Sequence, residues 1–222
     1  MPDWLGQRHF PRYPIVVAAL YTPEGPPSES TGAGWTRNLS EGGACLELTE
    51  RLEHSTSLRV RLRTDQGCIA GQARVIWVGE PDLTGGILHG MTFTQLAPAQ
   101  HQALRELLAR RSSVWRAVVR VPQEIPVTCQ IKGEARSPLQ GRTGNISRRG
   151  LSLHLPLAIL PGSALEVTLH SSHGPLTVEG TIVRVEPLDA QIPGEPIRHG
   201  FQFTDISHST GMTLGRILVE AL

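Results

Sequence analysis

The hexapeptide Asn38-Leu39-Ser40-Glu41-Gly42-Gly43 returns later in the chain as Asn145-Ile146-Ser147-Arg148-Arg149-Gly150, and both copies read N-x-S-x-x-G. Upstream of each lies an arginine pair spaced four apart, Arg8 and Arg12 before the first, Arg116 and Arg120 before the second. Downstream of each comes a His-Gly-x-x-Phe segment, His89 to Phe93 and His199 to Phe203. Three features recurring in one order, at nearly one separation, define a self-similar unit of roughly 110 residues. The 222 residues therefore divide into two copies of one domain, 5–111 and 112–222. Each copy is large enough to enclose its own core.

Within each copy the hydrophobic pattern reads as short strands followed by one helix. Ile15 to Leu20, Trp35 to Leu39, Cys45 to Leu48, Ile69 to Val78 and Gly90 to Thr94 are strand candidates, and Leu58 to Arg63 alternates apolar and basic residues at the period of a half-buried strand. The simplest reading of Arg59, Arg61 and Arg63 is then a solvated strand face. Trp77, inside an apolar run, reads as core, and His89 and His199 read as surface residues at strand ends. After Pro98 the period changes: Leu104, Leu107 and Leu108 fall on one face of a helix, with proline suited to its first turn. The second copy repeats these events. Val127 to Ile131, Leu151 to Leu155, Leu165 to Leu169, Thr177 to Val185 with a bulge at Gly180, and Gly200 to Thr204 are its strands. Leu214, Ile217 and Leu218 reproduce the leucine spacing of the first helix. Each unit thus reads as an antiparallel barrel capped by an amphipathic helix, since closure removes exposed strand edges. The linker Ser112 to Trp115 is short. The first helix consequently leads almost directly into the second arginine loop, where ligand binding is placed to change the domain arrangement.

Bulk properties narrow the function. A formal charge of +1 lacks the broad basic surface of a nucleic-acid binder. The three cysteines, Cys45, Cys68 and Cys129, show neither a disulfide framework nor zinc-ligand spacing. No apolar run reaches bilayer length and the N-terminus lacks a signal-peptide core, so a cytoplasmic protein without a membrane span is expected. Ser40 and Ser147 have no adjacent base, and no G-x-x-x-x-G-K phosphate loop occurs, which argues against an enzyme. What remains is recognition. Guanidinium groups offer paired donors to phosphate, donate to the O6/N7 edge of guanine and stack on purines. An Asn amide donates and accepts, Ser adds a small hydroxyl, and Gly permits close approach. Such a set suits a compact anion carrying planar bases, in short a guanine nucleotide.

The pattern R-x-x-x-R followed by [D/N]-x-S-x-x-G resembles the PilZ domain family, over both halves of the chain. The resemblance implies a mainly β fold: two tandem six-stranded antiparallel β-barrels, each with a C-terminal α-helix. It also implies a bacterial receptor that binds cyclic di-GMP without turning it over and signals by conformational change to a downstream protein partner. Ligand contacts would come from Arg8, Arg12, Asn38, Ser40 and Gly43 in the first unit and Arg116, Arg120, Asn145, Ser147 and Gly150 in the second, with Trp115, Arg148 and Arg149 as further candidates. No metal or other cofactor is implied. Gly90 and Gly200 are expected to be structural. Two departures stand out: Pro11 stiffens the first arginine loop, and both turns carry Asn where Asp is common in the family. Only the second turn carries the extra charges Arg148 and Arg149, so the second unit is expected to bind more tightly. The alternative is an adaptor that keeps the fold but works through protein contact without a nucleotide.

Overall fold

The computed structural model describes residues 10–25, 30–112, 118–134, 137–187, 189 and 191–220, without the side chains of residues 111 and 112. It separates into two compact units, Met1–Val119 and Arg120–Leu222.

The first unit comprises β1 (Ala18–Pro23), β2 (Gly32–Ser40), β3 (Gly43–Leu48), β4 (Ser57–Thr64), β5 (Gly67–Pro81), β6 (Ile87–Gln95) and helix α1 (Pro98–Ser112). The strands close in the order β1-β2-β3-β6-β5-β4, with β4 pairing back onto β1 from Ala18↔Arg63 to Pro23↔Leu58. Alternation along each strand sends Tyr21, Leu39, Leu46, Leu48, Leu58, Val60 and Leu62 inward, and Leu104, Leu107 and Leu108 of α1 join the same core. The first strand begins at Ala18 rather than Ile15, because Ile15 and Val17 are held in a different way. The hydroxyl of Thr36 donates to Ile15 O at 2.6 Å and accepts from Val17 N at 2.9 Å, replacing strand pairing for two residues whose side chains are buried.

The second unit contains β7 (Val121–Pro122), β8 (Pro126–Ile131), β9 (Leu139–Ser147), β10 (Gly150–Leu155), β11 (Ala164–Ser171), β12 (Gly174–Val185), β13 (Ile197–Asp205) and α2 (His208–Glu220). Strands β8 to β13 close a second six-stranded antiparallel barrel through the β9–β10 pairing, and β7 adds to the edge of β9. The expected bulge at Gly180 is present, between Glu179 and Gly180. Thr143 repeats the role of Thr36, donating to Gln123 O at 2.6 Å and accepting from Ile125 N at 2.9 Å. Strand β9 begins well before Gly144, because Gln140 and Arg142 alternate with Gly141 and Thr143 in a strand whose outer face is polar.

Each helix is pinned to the turn between the fourth and fifth strands of its barrel. Arg110 reaches Gln66 Oε1 at 2.5 Å, and at the equivalent place His173 Nε2 lies 2.8 Å from Glu220 Oε2. The polarity of the contact is reversed between the copies while its position is kept. Three expectations are corrected. Arg59 and Arg61 are exposed, but Arg63, at the end of β4 opposite the buried Ala18 of β1, is only 8% exposed. Trp77 is half-buried and lies outside the core, its indole laid across Gly90, where a Cβ would fall 1.8 Å from Nε1. His89 and His199 are not surface residues: both are fully buried.

Candidate functional site

The two copies build the same constellation from the same backbone geometry. Just before each motif asparagine, one residue is extra in the strand: Arg37 between Thr36 and Asn38 opposite Leu46 and Cys45, and Gly144 between Thr143 and Asn145 opposite Leu153 and Ser152. This bulge changes which residues face outward. Thr36 and Thr143 share the inner face, whereas Asn38 with Ser40, and Asn145 with Ser147, stand on the outer face of the barrel.

The second arginine of each pair is brought beside this face by backbone pairing. Tyr13 N donates to Leu39 O at 2.8 Å and Leu39 N to Tyr13 O at 2.9 Å. In the second unit Val121 pairs with Ile146, and Pro122 with Asn145. Arg12 and Arg120, one residue earlier in each segment and both exposed, are thereby carried to the edge of the N-x-S-x-x-G strand. The Phe10 ring lies on the turn itself, so close to Gly42 that a Cβ there would meet Phe10 Cδ2 at 2.8 Å. Burial pushes the Cys45 thiol above its usual range, and the nearby Arg12 and Arg37 guanidinium groups pull against that shift. Cys45 faces outward opposite Asn38, so Arg12 stands over the same patch. Arg8, Trp115 and Arg116 lie outside the described residues.

The remaining motif residues shape the turn. Ser40 Oγ donates to Gly43 O at 3.2 Å and Ser147 Oγ to Gly150 O at 2.9 Å, and both serines are 5% exposed. Gly43 and Gly150 let the following strand pass against its neighbour: a Cβ would stand 2.1 Å from Met91 O and 2.2 Å from Phe201 O. Asn38 Oδ1 is buried and has no hydrogen-bond partner among the described residues. In the second copy Asn145 N donates to Ser152 Oγ at 3.0 Å. Arg148 and Arg149 line a cleft of about 360 Å³ with Gln202 and Asp205. In the first turn the equivalent of Arg148 is Glu41, whose Oε2 lies 2.8 Å from Arg105 Nε and 3.5 Å from His101 Nε2 of α1.

The buried histidines are further partners that the sequence did not reveal. His89 Nδ1 donates to Ile87 O at 3.1 Å while its Nε2 accepts from Leu52 N at 3.1 Å. His199 does the same with Ile197 O at 2.9 Å and Ile159 N at 3.0 Å. A ring that donates at one nitrogen and accepts at the other must be neutral. Burial accordingly holds both imidazoles below their ordinary pKa. Their recurrence at one motif position is the signal in the sequence, and it marks a structural cross-link. Cys129, also sealed in the core, is pushed up to about 12. Among the described residues no three His, Cys, Asp or Glu side chains converge on one point, and no helix is long and apolar enough to cross a membrane.

Each unit is thus an antiparallel barrel with a C-terminal helix, and each carries an exposed arginine to the edge of its N-x-S-x-x-G strand. The chain belongs to the PilZ domain family, which matches residues 6–110 and 109–220. Among solved structures it is similar to the Bacillus subtilis inhibitor of motility MotI/DgrA, at 12% identity and TM-score 0.40 over 94% of this chain and 96% of that one. It is also similar to Escherichia coli YcgR in complex with c-di-GMP, at 13% identity and TM-score 0.39 over 91% and 82%. A third is Borreliella burgdorferi PlzA in complex with c-di-GMP, at 10% identity and TM-score 0.36 over 91% and 87%. No curated protein sequence matches the chain.

Proposed function

We propose that this protein is a receptor for cyclic di-GMP that binds the nucleotide without chemical turnover and passes the signal to a protein partner. The observation that carries the reading is the repeated backbone pairing, Tyr13 with Leu39 and Val121 with Ile146, which delivers an exposed arginine to the outer-face asparagine and serine of the motif. In whichever unit holds the nucleotide, the exposed arginine, Arg12 or Arg120, would grip phosphate or a guanine edge, and the motif asparagine, Asn38 or Asn145, would read a base. Ser40, Ser147, Gly43 and Gly150 would serve by holding the turn in shape. Ligand caught between a loop and a barrel wall orders that loop, and a loop lying between two domains transmits its ordering to both.

Calorimetric titration of the full chain with cyclic di-GMP tests the reading. Saturable binding is expected, weakened by Arg8→Ala/Arg12→Ala, by Arg116→Ala/Arg120→Ala, or by both. Absence of binding by the folded wild type would overturn it and leave the barrels to act as protein-contact modules.

A further inference from the structure

Resting on the receptor reading, we infer that the nucleotide is held by the second barrel alone, along a basic stripe formed by Arg142, His154 and Arg198, and that the first barrel has filled the equivalent surface with its own side chains. On the outer face of the second barrel, His154 of β10 pairs across to Arg142 of β9 on one side and Arg198 of β13 on the other. Directly opposed residues lie about 5 Å apart, so three basic or imidazole groups form one row across three strands; Arg142 Nη1 is paired with Glu124 Oε2 at 3.1 Å, an exposed contact that an incoming phosphate can displace at little cost. The row starts three residues from Asn145, about 10 Å along the strand. A dinucleotide anchored at Arg120 and Asn145 spans that distance.

The His154 ring lies against the bulge residue Gly144, where a Cβ would stand 2.8 Å from its Nε2. The imidazole therefore covers the bulge, and beyond it a cavity of about 700 Å³ is bounded by Arg142, His154, Ile192, Glu195 and Pro196. An imidazole and two guanidinium groups can stack on purines and donate to phosphate. At the far end of the motif, Arg148 and Arg149 add the same sign of charge.

In the first barrel the counterparts across the same three strands are Trp35, Glu47 and Leu88, by the pairings Trp35↔Glu47 and Glu47↔Leu88. The bulge residue there is Arg37, tied to Glu47 at 2.6 Å, and the Glu47 side chain is 2% exposed. Trp35 is 1% exposed, and the side-chain oxygen Oδ1 of Asn38 is shut off from water. Placing a phosphate there would require breaking a short ion pair and bringing an anion up to a buried carboxylate. The turn beside it presents Glu41 where the second barrel presents Arg148. Strand register and motif are kept between the copies, while Glu41 and Glu47 of the first stand where the second has Arg148 and His154.

The test is calorimetric titration of the full chain with cyclic di-GMP for wild type, Arg12→Ala, Arg120→Ala and Arg142→Ala/Arg198→Ala. Arg142 and Arg198 are exposed, so the double variant should fold, and an unchanged thermal midpoint would verify this. One set of sites is expected in the wild type, unaffected by Arg12→Ala. Binding should weaken at least about tenfold in Arg120→Ala and in the double variant, with a shallower salt dependence in the latter. His154→Ala supplies a milder second probe and should weaken binding several-fold. In the first barrel, Arg37→Gly/Glu47→His should create a second set of sites that Arg12→Ala then removes. Equal losses from Arg12→Ala and Arg120→Ala, or unchanged affinity without Arg142 and Arg198, would overturn the inference while leaving the receptor reading intact. No binding by the wild type would overturn both.

Discussion

His89 and His199 each bridge a strand carbonyl to the backbone N–H of a distant loop, and this service depends on a neutral ring. Because burial holds both folded-state pKa values below the ordinary 6.5, the unfolded chain takes up protons first as pH falls. Stability from these groups is complete above about pH 6.5 and declines as pH drops toward the folded-state value. Urea midpoints should therefore fall between about pH 7 and pH 5.5 in the wild type, and fall less in His89→Gln/His199→Gln, whose amides accept a hydrogen bond without titrating. Equal pH slopes would refute this. At the motif turn, Gly43→Ala drives a methyl into Met91 O and should cost about 1–3 kcal/mol in ligand-free thermal unfolding. Ser40→Ala, which loses one hydrogen bond to Gly43 O, should cost about 1 kcal/mol. A loss of ligand affinity without any loss of stability in these two variants would instead make them direct ligand contacts.

At the level of the element, the motif strands β2 and β9 matter through their bulges. An unbroken two-residue alternation would put Thr36 and Asn38 on one face. The extra residue lets Thr36 serve the inner segment Ile15–Val17 while Asn38 faces out. The bulge residue then becomes a place where the two copies diverge, arginine in one and glycine in the other, without disturbing the register on either side. Helices α1 and α2 show the same economy. Their leucines at Leu104, Leu107, Leu214 and Leu218 are fixed by burial, whereas the exposed staples to the turn between the fourth and fifth strands have exchanged polarity, Arg110 with Gln66 against Glu220 with His173. Partly exposed ion pairs contribute at most about 1 kcal/mol, so such reversals are tolerated. Buried leucine is not so readily replaced.

Across the whole molecule, the first compact unit extends past its helix to Val119. Val118 pairs in parallel with Val16, Val119 N donates to Val16 O at 3.0 Å, and the Val119 side chain is 2% exposed within the first core. The arginine that opens the second unit thus follows directly on a residue locked into the first. In the full chain, Val119→Ala should remove about 2 kcal/mol from the first barrel. Amide exchange should show this as faster opening of β1 and β2 with little change in β11 and β12; uniform loss over both barrels would contradict it.

The sequence by itself determined the duplication, the strand-rich units with their terminal helices, and the identity of the motif segments. Those properties rest on local periodicity and on residue types recurring at fixed spacing. It misplaced the start of the first strand and the burial of Trp77, Arg63 and both histidines, because each depends on what stands opposite across the barrel. Whether a polar side chain is buried depends on which distant backbone group stands opposite it, and spacing along the chain does not encode that. Only the tertiary structure decided that Ser40 and Gly43 hold the turn, that Arg37 is a bulge residue bound to Glu47, and that Arg142, His154 and Arg198 share one row. Cross-strand neighbours are set by barrel closure, which brings together residues far apart in sequence. That Glu47 and His154 stand at the centre of matching cross-strand rows becomes visible only once that closure is known.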